Sequence, residues 1–156
     1  MLLRTSVALF ALALAGCPSG EGAAPGPQAP VNTGVGPLAS LEESPFLNEV
    51  WSVEGTGDAP FLYYPRENVR VSGPCRLAGG QLACEAMQFV RNGMPVSIPR
   101  RELDGRASGG VKVCLKLNMT TVFLRNSVGA EETMCRFNDG SMISTTALEQ
   151  YAMNVL

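Results

Sequence analysis

Chemistry in this chain has to come from cysteine, carboxylate, hydroxyl, lysine and arginine side chains, because its 156 residues include no histidine. That absence removes the commonest general base, the commonest transition-metal ligand and the one side chain whose unperturbed pKa lies near neutrality. Histidine-dependent hydrolases and zinc enzymes fall with it. Of five cysteines, Cys17 stands apart at the end of an apolar N-terminal stretch, and Cys75, Cys84, Cys114 and Cys135 lie in the body. An even set in an exported chain implies two disulfides, with three connectivities open. Eight residues separate Cys75 from Cys84 and twenty separate Cys114 from Cys135. No close chelating pair results, so neither a metal nor any other cofactor is expected. A redox-active pair is not expected either, since there is no Cys-x-x-Cys. Glu42-Glu43 and Glu131-Glu132 are adjacent carboxylates that read as solvated, and nothing brings them to a cleft. Serine and threonine nucleophiles need a base, yet the only lysines are Lys112 and Lys116, outside any Ser-x-x-Lys box. Arg100, Arg101 and Arg106 are offset by Glu102 and Asp104, which describes a surface loop. Residues 105–110 are glycine-rich but lack a phosphate-binding lysine box. No catalytic residue is expected.

The 12 Lys and Arg nearly balance the 14 Asp and Glu, a net charge of −2 that gives no reason to expect nucleic acid as a partner. With 46% hydrophobic residues alongside 17 Gly and 11 Pro, the composition suits one small globular body joined to something extended. The elements must therefore be sought in two stretches.

Residues 1–17, MLLRTSVALFALALAGC, carry one cation at Arg4, then an apolar run, then small residues before a cysteine. This is the pattern of a secretory signal, about half the roughly 20 residues that a membrane-spanning helix needs. Leu14-Ala15-Gly16-Cys17 resembles the lipobox of bacterial lipoproteins. The resemblance implies removal of residues 1–16 and lipidation of Cys17, whose thiolate has the nucleophilicity to take the lipid. Two or three acyl chains, at about 0.8 kcal/mol per buried methylene, fasten a protein lastingly to a membrane. Loss of residues 1–16 removes only Arg4 among the charges, leaving a net charge of −3. Pro18, not Asp, follows the cysteine, which by the same resemblance favours the outer over the inner membrane of the bacterial envelope.

Residues 17–44 read as a disordered tether: five prolines and no aromatic residue after the cysteine cannot offset the entropy of ordering. Ser40 and Glu43 have capping-box spacing for a short helical turn, limited by Pro45. The body is then residues 45–156. Its first part, 45–110, is broken by Gly, Pro and Asn into short alternating runs, which predicts strands and hairpins. A hairpin turning at Gly79-Gly80 pairs 78 with 81 and 75 with 84, setting Cys75 opposite Cys84 at disulfide range and Leu77 beside Leu82 on one face. A second hairpin over 87–98, turning at Asn92-Gly93, pairs Phe89 with Val96 and Met87 with Ile98. Residues 61–64 and 68–72 are further strands, and 49–53 is a strand or the end of a helix. Trp51, Phe61, Tyr63 and Tyr64 are expected to pack the core or its rim, with an aromatic ligand shelf as the functional alternative.

Residues 110–152 carry Cys114, Thr120 and Thr121 before an apolar strand, Cys135, Asp139-Gly140-Ser141 and a terminal helix with aromatic character. This segment resembles the small domain of unknown function in bacterial lipoproteins that bear a haemolysin label. The resemblance implies a local bond between Cys114 and Cys135 and a short first helix, with Asn118 and Met119 where the family often has Gly-Gly. By alternation alone, residues 111–117 also suit a strand. Strands are expected at 121–125 and 133–137, a tight turn at 138–140, and a helix from 147 to about 154 behind a Thr146/Glu149 capping box. On that helix Leu148, Tyr151 and Ala152 share a face. No segment is amphipathic, cationic and long enough to pierce a bilayer. The expected fold is thus α+β, mostly short antiparallel strands and hairpins with a C-terminal helix, stapled by disulfides. The expected role is a lipid-anchored, non-catalytic module binding a protein or polysaccharide through a strand edge or exposed aromatic. Inhibition of an envelope or secreted hydrolase is the alternative.

Overall fold

The structure is a computed structural model that describes Gly36 and residues 38–156. The expected signal segment, the expected lipidation site Cys17 and most of the expected tether lie outside the described residues. Among the described residues, eight strands and three α-helices follow in chain order: β1 (Leu47–Val53), β2 (Gly57–Tyr64), β3 (Val69–Ser72), α1 (Glu85–Asn92), β4 (Val96–Ile98), α2 (Gly109–Lys116), β5 (Thr120–Arg125), β6 (Glu131–Arg136), β7 (Met142–Ser144), α3 (Thr145–Ala152) and β8 (Met153–Val155). Six strands close into a barrel in the order β1-β2-β3-β7-β6-β5, every neighbour antiparallel. The small parallel pair β4-β8 stands apart from it.

Alternation along the strands divides the apolar residues between two cores, because successive side chains point to opposite faces of a sheet. Trp51, Val53, Phe61, Val122, Leu124, Met134 and Met142 fill the barrel. The opposite faces of the same strands, including Leu62, Tyr64, Val69, Val71 and Ile143, pack with Val113, Leu148 and Ala152 of the helices. Helix α2 lies close against α3: a Cβ at Gly110 would fall 1.7 Å from the Thr145 carbonyl oxygen, so no larger residue fits there without moving a helix.

Several local expectations need correction. Residues 87–92 do not form half of a hairpin. The run Glu-Ala-Met-Gln-Phe-Val-Arg is made of helix formers with little β-branching, and its apolar residues suit a helical stripe as well as an alternating strand. Tertiary burial of Ala86 and Met87 decides for the helix, and Asn92-Gly93 becomes its end. Strand β4 then finds its partner in the C-terminal residues 153–155, which leave the predicted helix early.

The Gly79-Gly80 turn is also one residue longer than expected. Gly80 takes φ +84°, the Leu77 amide donates to the Gln81 carbonyl, and Arg76 stands opposite Leu82. The left-handed glycine closes a three-residue loop. Register shifts by one, so Leu82 is buried while Leu77 is exposed. Cys75 and Cys84 are nonetheless bonded, with Cα atoms 5.0 Å apart.

Residues 38–44, read above as the end of the tether, contribute Leu38 and Leu41 to the core. Glu42 binds both terminal nitrogens of Arg91 at 2.7 Å and accepts the Leu82 amide, fastening this segment to α1 and the loop before it. Composition argued for a tether through Ser44, but two leucines three residues apart are enough to anchor a turn. Ser40 makes no side-chain cap there.

In the C-terminal segment the helical alternative holds for residues 109–116. Ser108 caps α2 by accepting the Val111 amide, and Asn118 at φ +56° ends it while Met119 donates back to the Cys114 carbonyl. Helix α3 is capped by Ser144, not Thr146; Glu149 instead accepts the Gly110 amide of α2. Cys114 on α2 is bonded to Cys135 on β6, tying the helices to the barrel.

Candidate binding site at the open barrel seam

The barrel closes weakly where its first strand meets its fifth. β1 and β5 are paired only at Ser52–Arg125 and Val53–Leu124, with the Glu54 amide donating to the Phe123 carbonyl. Beyond Arg125 the chain turns away: Asn126 Oδ1 accepts the Val128 and Ala130 amides, and Gly129 adopts φ +82°. β1 continues past that point to Leu47, still fully paired to β2 on its other side. In an antiparallel strand both backbone groups of alternate residues point to the same side. By parity with Glu54, the N–H and C=O of Asn48 and Val50 therefore face the open seam. Among the described residues, neither has a ladder partner there.

A groove of about 650 Å³ runs along this seam over the outside of the barrel, lined by Val50, Ser52, Glu54, Asp58, the end of β5 from Phe123 and the start of the following turn, with Glu131 beyond. Val50 is 64% exposed and Phe123 60% exposed, the two apolar contacts of its floor. Arg125 is held by Glu131. Glu54 and Asp58 are exposed and enter no ion pair among the described residues, so the groove is acidic.

Beneath the seam the barrel mouth is plugged by charge. Arg70 of β3 is directed into the barrel end with its side chain only 11% exposed, and it reaches a carboxylate on each flank. Its Nε donates to Glu49 of β1 at 2.7 Å and its Nη1 to Glu132 of β6 at 2.6 Å. The guanidinium lies 4.8 Å from the Trp51 ring centre and 4.3 Å from that of Tyr63. The Trp51 indole also donates to Glu49, at 2.8 Å. Since β1 and β6 lie two strands from β3 in opposite directions, this network bridges the two sides of the seam where the hydrogen-bond ladder is short.

One guanidinium shared between two acids leaves them unequal. Burial works against ionisation of Glu49, but hydrogen bonds from Arg70 and Trp51, with the charge of Arg70, outweigh it and lower its pKa. Burial dominates at Glu132 and raises its pKa; Arg70 offsets only part of this, and the nearby Glu49 charge adds to the rise.

The sequence reading of the carboxylates therefore needs revision at two positions: Glu132 is mostly buried and Glu42 is partly buried, each paired to an arginine. Trp51, Phe61 and Tyr64 are core residues, and Tyr63 is covered on one face by Arg70, so these aromatics form no shelf. Among the described residues, the exposed aromatic is Phe123. Arg100, Arg101 and Arg106 lie around a short 3-10 turn, away from the seam, with Arg106 beside Asp104. Phe123 was hidden in the sequence because it occupies the outward phase between the buried Val122 and Leu124 in a continuous apolar run. Arg70 was hidden because its partners are remote in sequence. Comparison of the chain with protein-family models, curated proteins and solved structures finds no match.

Proposed function

We propose that this chain is a bacterial envelope lipoprotein, fastened through lipid on Cys17, whose body binds an extended polypeptide segment at the β1 edge and performs no catalysis. The lipobox and the likeness of residues 110–152 to a lipoprotein domain support the location, with the outer membrane preferred. The observation that carries the binding role is the run of unpaired β1 backbone beside exposed Val50 and Phe123. An added strand satisfies edge-facing amides and carbonyls that a polysaccharide matches poorly, and its alternate side chains meet the groove floor. The exposed acids Glu54 and Asp58 favour a basic segment.

A photo-crosslinking residue at position 50, in protein expressed in its native envelope, tests this reading, with position 94, 88% exposed and outside the groove, as control. The expected result is one defined polypeptide adduct from position 50 and none from 94. Asn48→Pro removes one edge-facing amide and spares the ladder to β2; it should cut the adduct about tenfold or more. A glycan adduct, or a yield that Asn48→Pro leaves unchanged, contradicts the proposal.

A further inference from the structure

The two disulfides occupy opposite environments. Cys114 and Cys135 are both fully buried. In the other pair Cys75 is 1% exposed, whereas Cys84 is half-buried. Cys75 and Cys84 both line a cavity of about 360 Å³ between the end of β3 and the 139–142 segment, distinct from the β1–β5 groove.

The buried sulfur has a donor already in place. Ser72 Oγ lies 3.4 Å from Cys75 Sγ and accepts the Met142 amide at 3.0 Å. A disulfide sulfur carries no hydrogen, so in this contact the hydroxyl is the donor. The Met142 amide fixes the oxygen, leaving the hydroxyl hydrogen for the sulfur. The same hydrogen bond strengthens when negative charge arrives on Cys75, since bonds to ionised partners are the stronger ones.

We infer that Cys75–Cys84 is a thiol-exchange site, attacked at the Cys84 sulfur by a vicinal dithiol of an exported partner, with Cys75 as the leaving thiolate held by Ser72. The incoming thiolate forms a bond to Cys84 as the Cys75–Cys84 bond breaks, and the electron pair departs on Cys75. The partner's second thiol then attacks the mixed disulfide and releases Cys84. The dithiol is oxidised to a disulfide, its two protons pass to the released thiolates, and the protein bond is reduced. Reduction unties the turn after β3 from the head of α1. The α1 amides of Glu85 and Ala86 play no part, being occupied by Asp139 and Ser141. Asp139 lines the same cavity. Burial opposes its ionisation, but hydrogen bonds from Ser141 and from the Glu85 amide outweigh this and lower its pKa. Its charge disfavours an acidic thiol such as glutathione relative to a neutral one.

Full-length oxidised protein in detergent is exposed to dithiothreitol under native conditions, quenched with acid, alkylated and mapped by mass spectrometry. Cys75–Cys84 should open at least about tenfold faster than Cys114–Cys135. Mercaptoethanol should leave its adduct on Cys84, and Ser72→Ala should slow opening about threefold to tenfold, with Ser72→Thr restoring it. The buried Cys114–Cys135 bond reports unfolding in each variant. Equal rates for the two bonds, an adduct on Cys75, or a Ser72→Ala rate no slower than wild type overturns the inference.

Discussion

Arg70→Met will destabilise the body by about 3–5 kcal/mol at neutral pH, because it strands two carboxylates that share one partner in a largely buried site. Both Glu49 and Glu132 contact that guanidinium directly, and no second cation bonds to either among the described residues. The deficit should shrink as pH falls, since protonation relieves both acids. In the wild type the two acids oppose one another. The raised pKa of Glu132 means the fold gains stability from this residue as pH falls through its folded value. The lowered pKa of Glu49 means its contribution is present above 4.5 and is lost as pH falls through its folded value. Adding Glu49→Gln and Glu132→Gln to Arg70→Met should recover most of the loss, because neutral amides replace the stranded charges. Urea unfolding with disulfides intact, followed by the single tryptophan that stands over Arg70, measures all three. A single-variant loss below about 1 kcal/mol, or one that grows on acidification, would remove the network from any role in holding the seam.

The second large effect belongs to the buried disulfide. Replacing Cys114 and Cys135 together by alanine should cost about 3–5 kcal/mol: roughly 3 kcal/mol of chain entropy for a loop of this size, plus the void left by two buried sulfurs. The sequence separation is 21, against 9 for Cys75–Cys84. The longer loop and complete burial both place the larger loss at Cys114–Cys135, so the Cys75→Ala, Cys84→Ala pair should cost about 1 kcal/mol less. Thermal midpoints of the two double variants check the order, and a reversed order would contradict this account of what joins α2 to the barrel.

Much of the local structure was legible where short-range geometry decides it. Strands over parts of β2, β3, β5 and β6 follow from short apolar runs between turn residues, and the turn before β7 follows from Asn138-Asp139-Gly140, with Gly140 at φ +82°. The α+β class was within reach of the same reasoning; Cys75–Cys84 was reached through a hairpin whose register is one residue off, and Cys114–Cys135 only through the resemblance of residues 110–152. Helix α1 was not, because Met87 and Phe89 satisfy an alternating period while Met87 and Val90 satisfy a helical one, and only burial against the rest of the fold separates the two. Barrel closure was out of reach for a different reason: two paired positions between β1 and β5 leave no pattern in either strand. The seam and its charged plug depend on that closure. Glu132, read from its neighbour Glu131 as a solvated pair, points inward because β6 alternates, and Arg70 meets it only across the barrel.

Intact mass spectrometry of protein extracted from native membranes, before and after reduction and alkylation, tests most directly the proposal of an anchored, oxidised body. The expected mass is that of a chain beginning at Cys17 with attached acyl groups, gaining four alkyl labels only once its two bonds are reduced. A chain beginning at Met1, unacylated and labelled at cysteines without reduction, would contradict it.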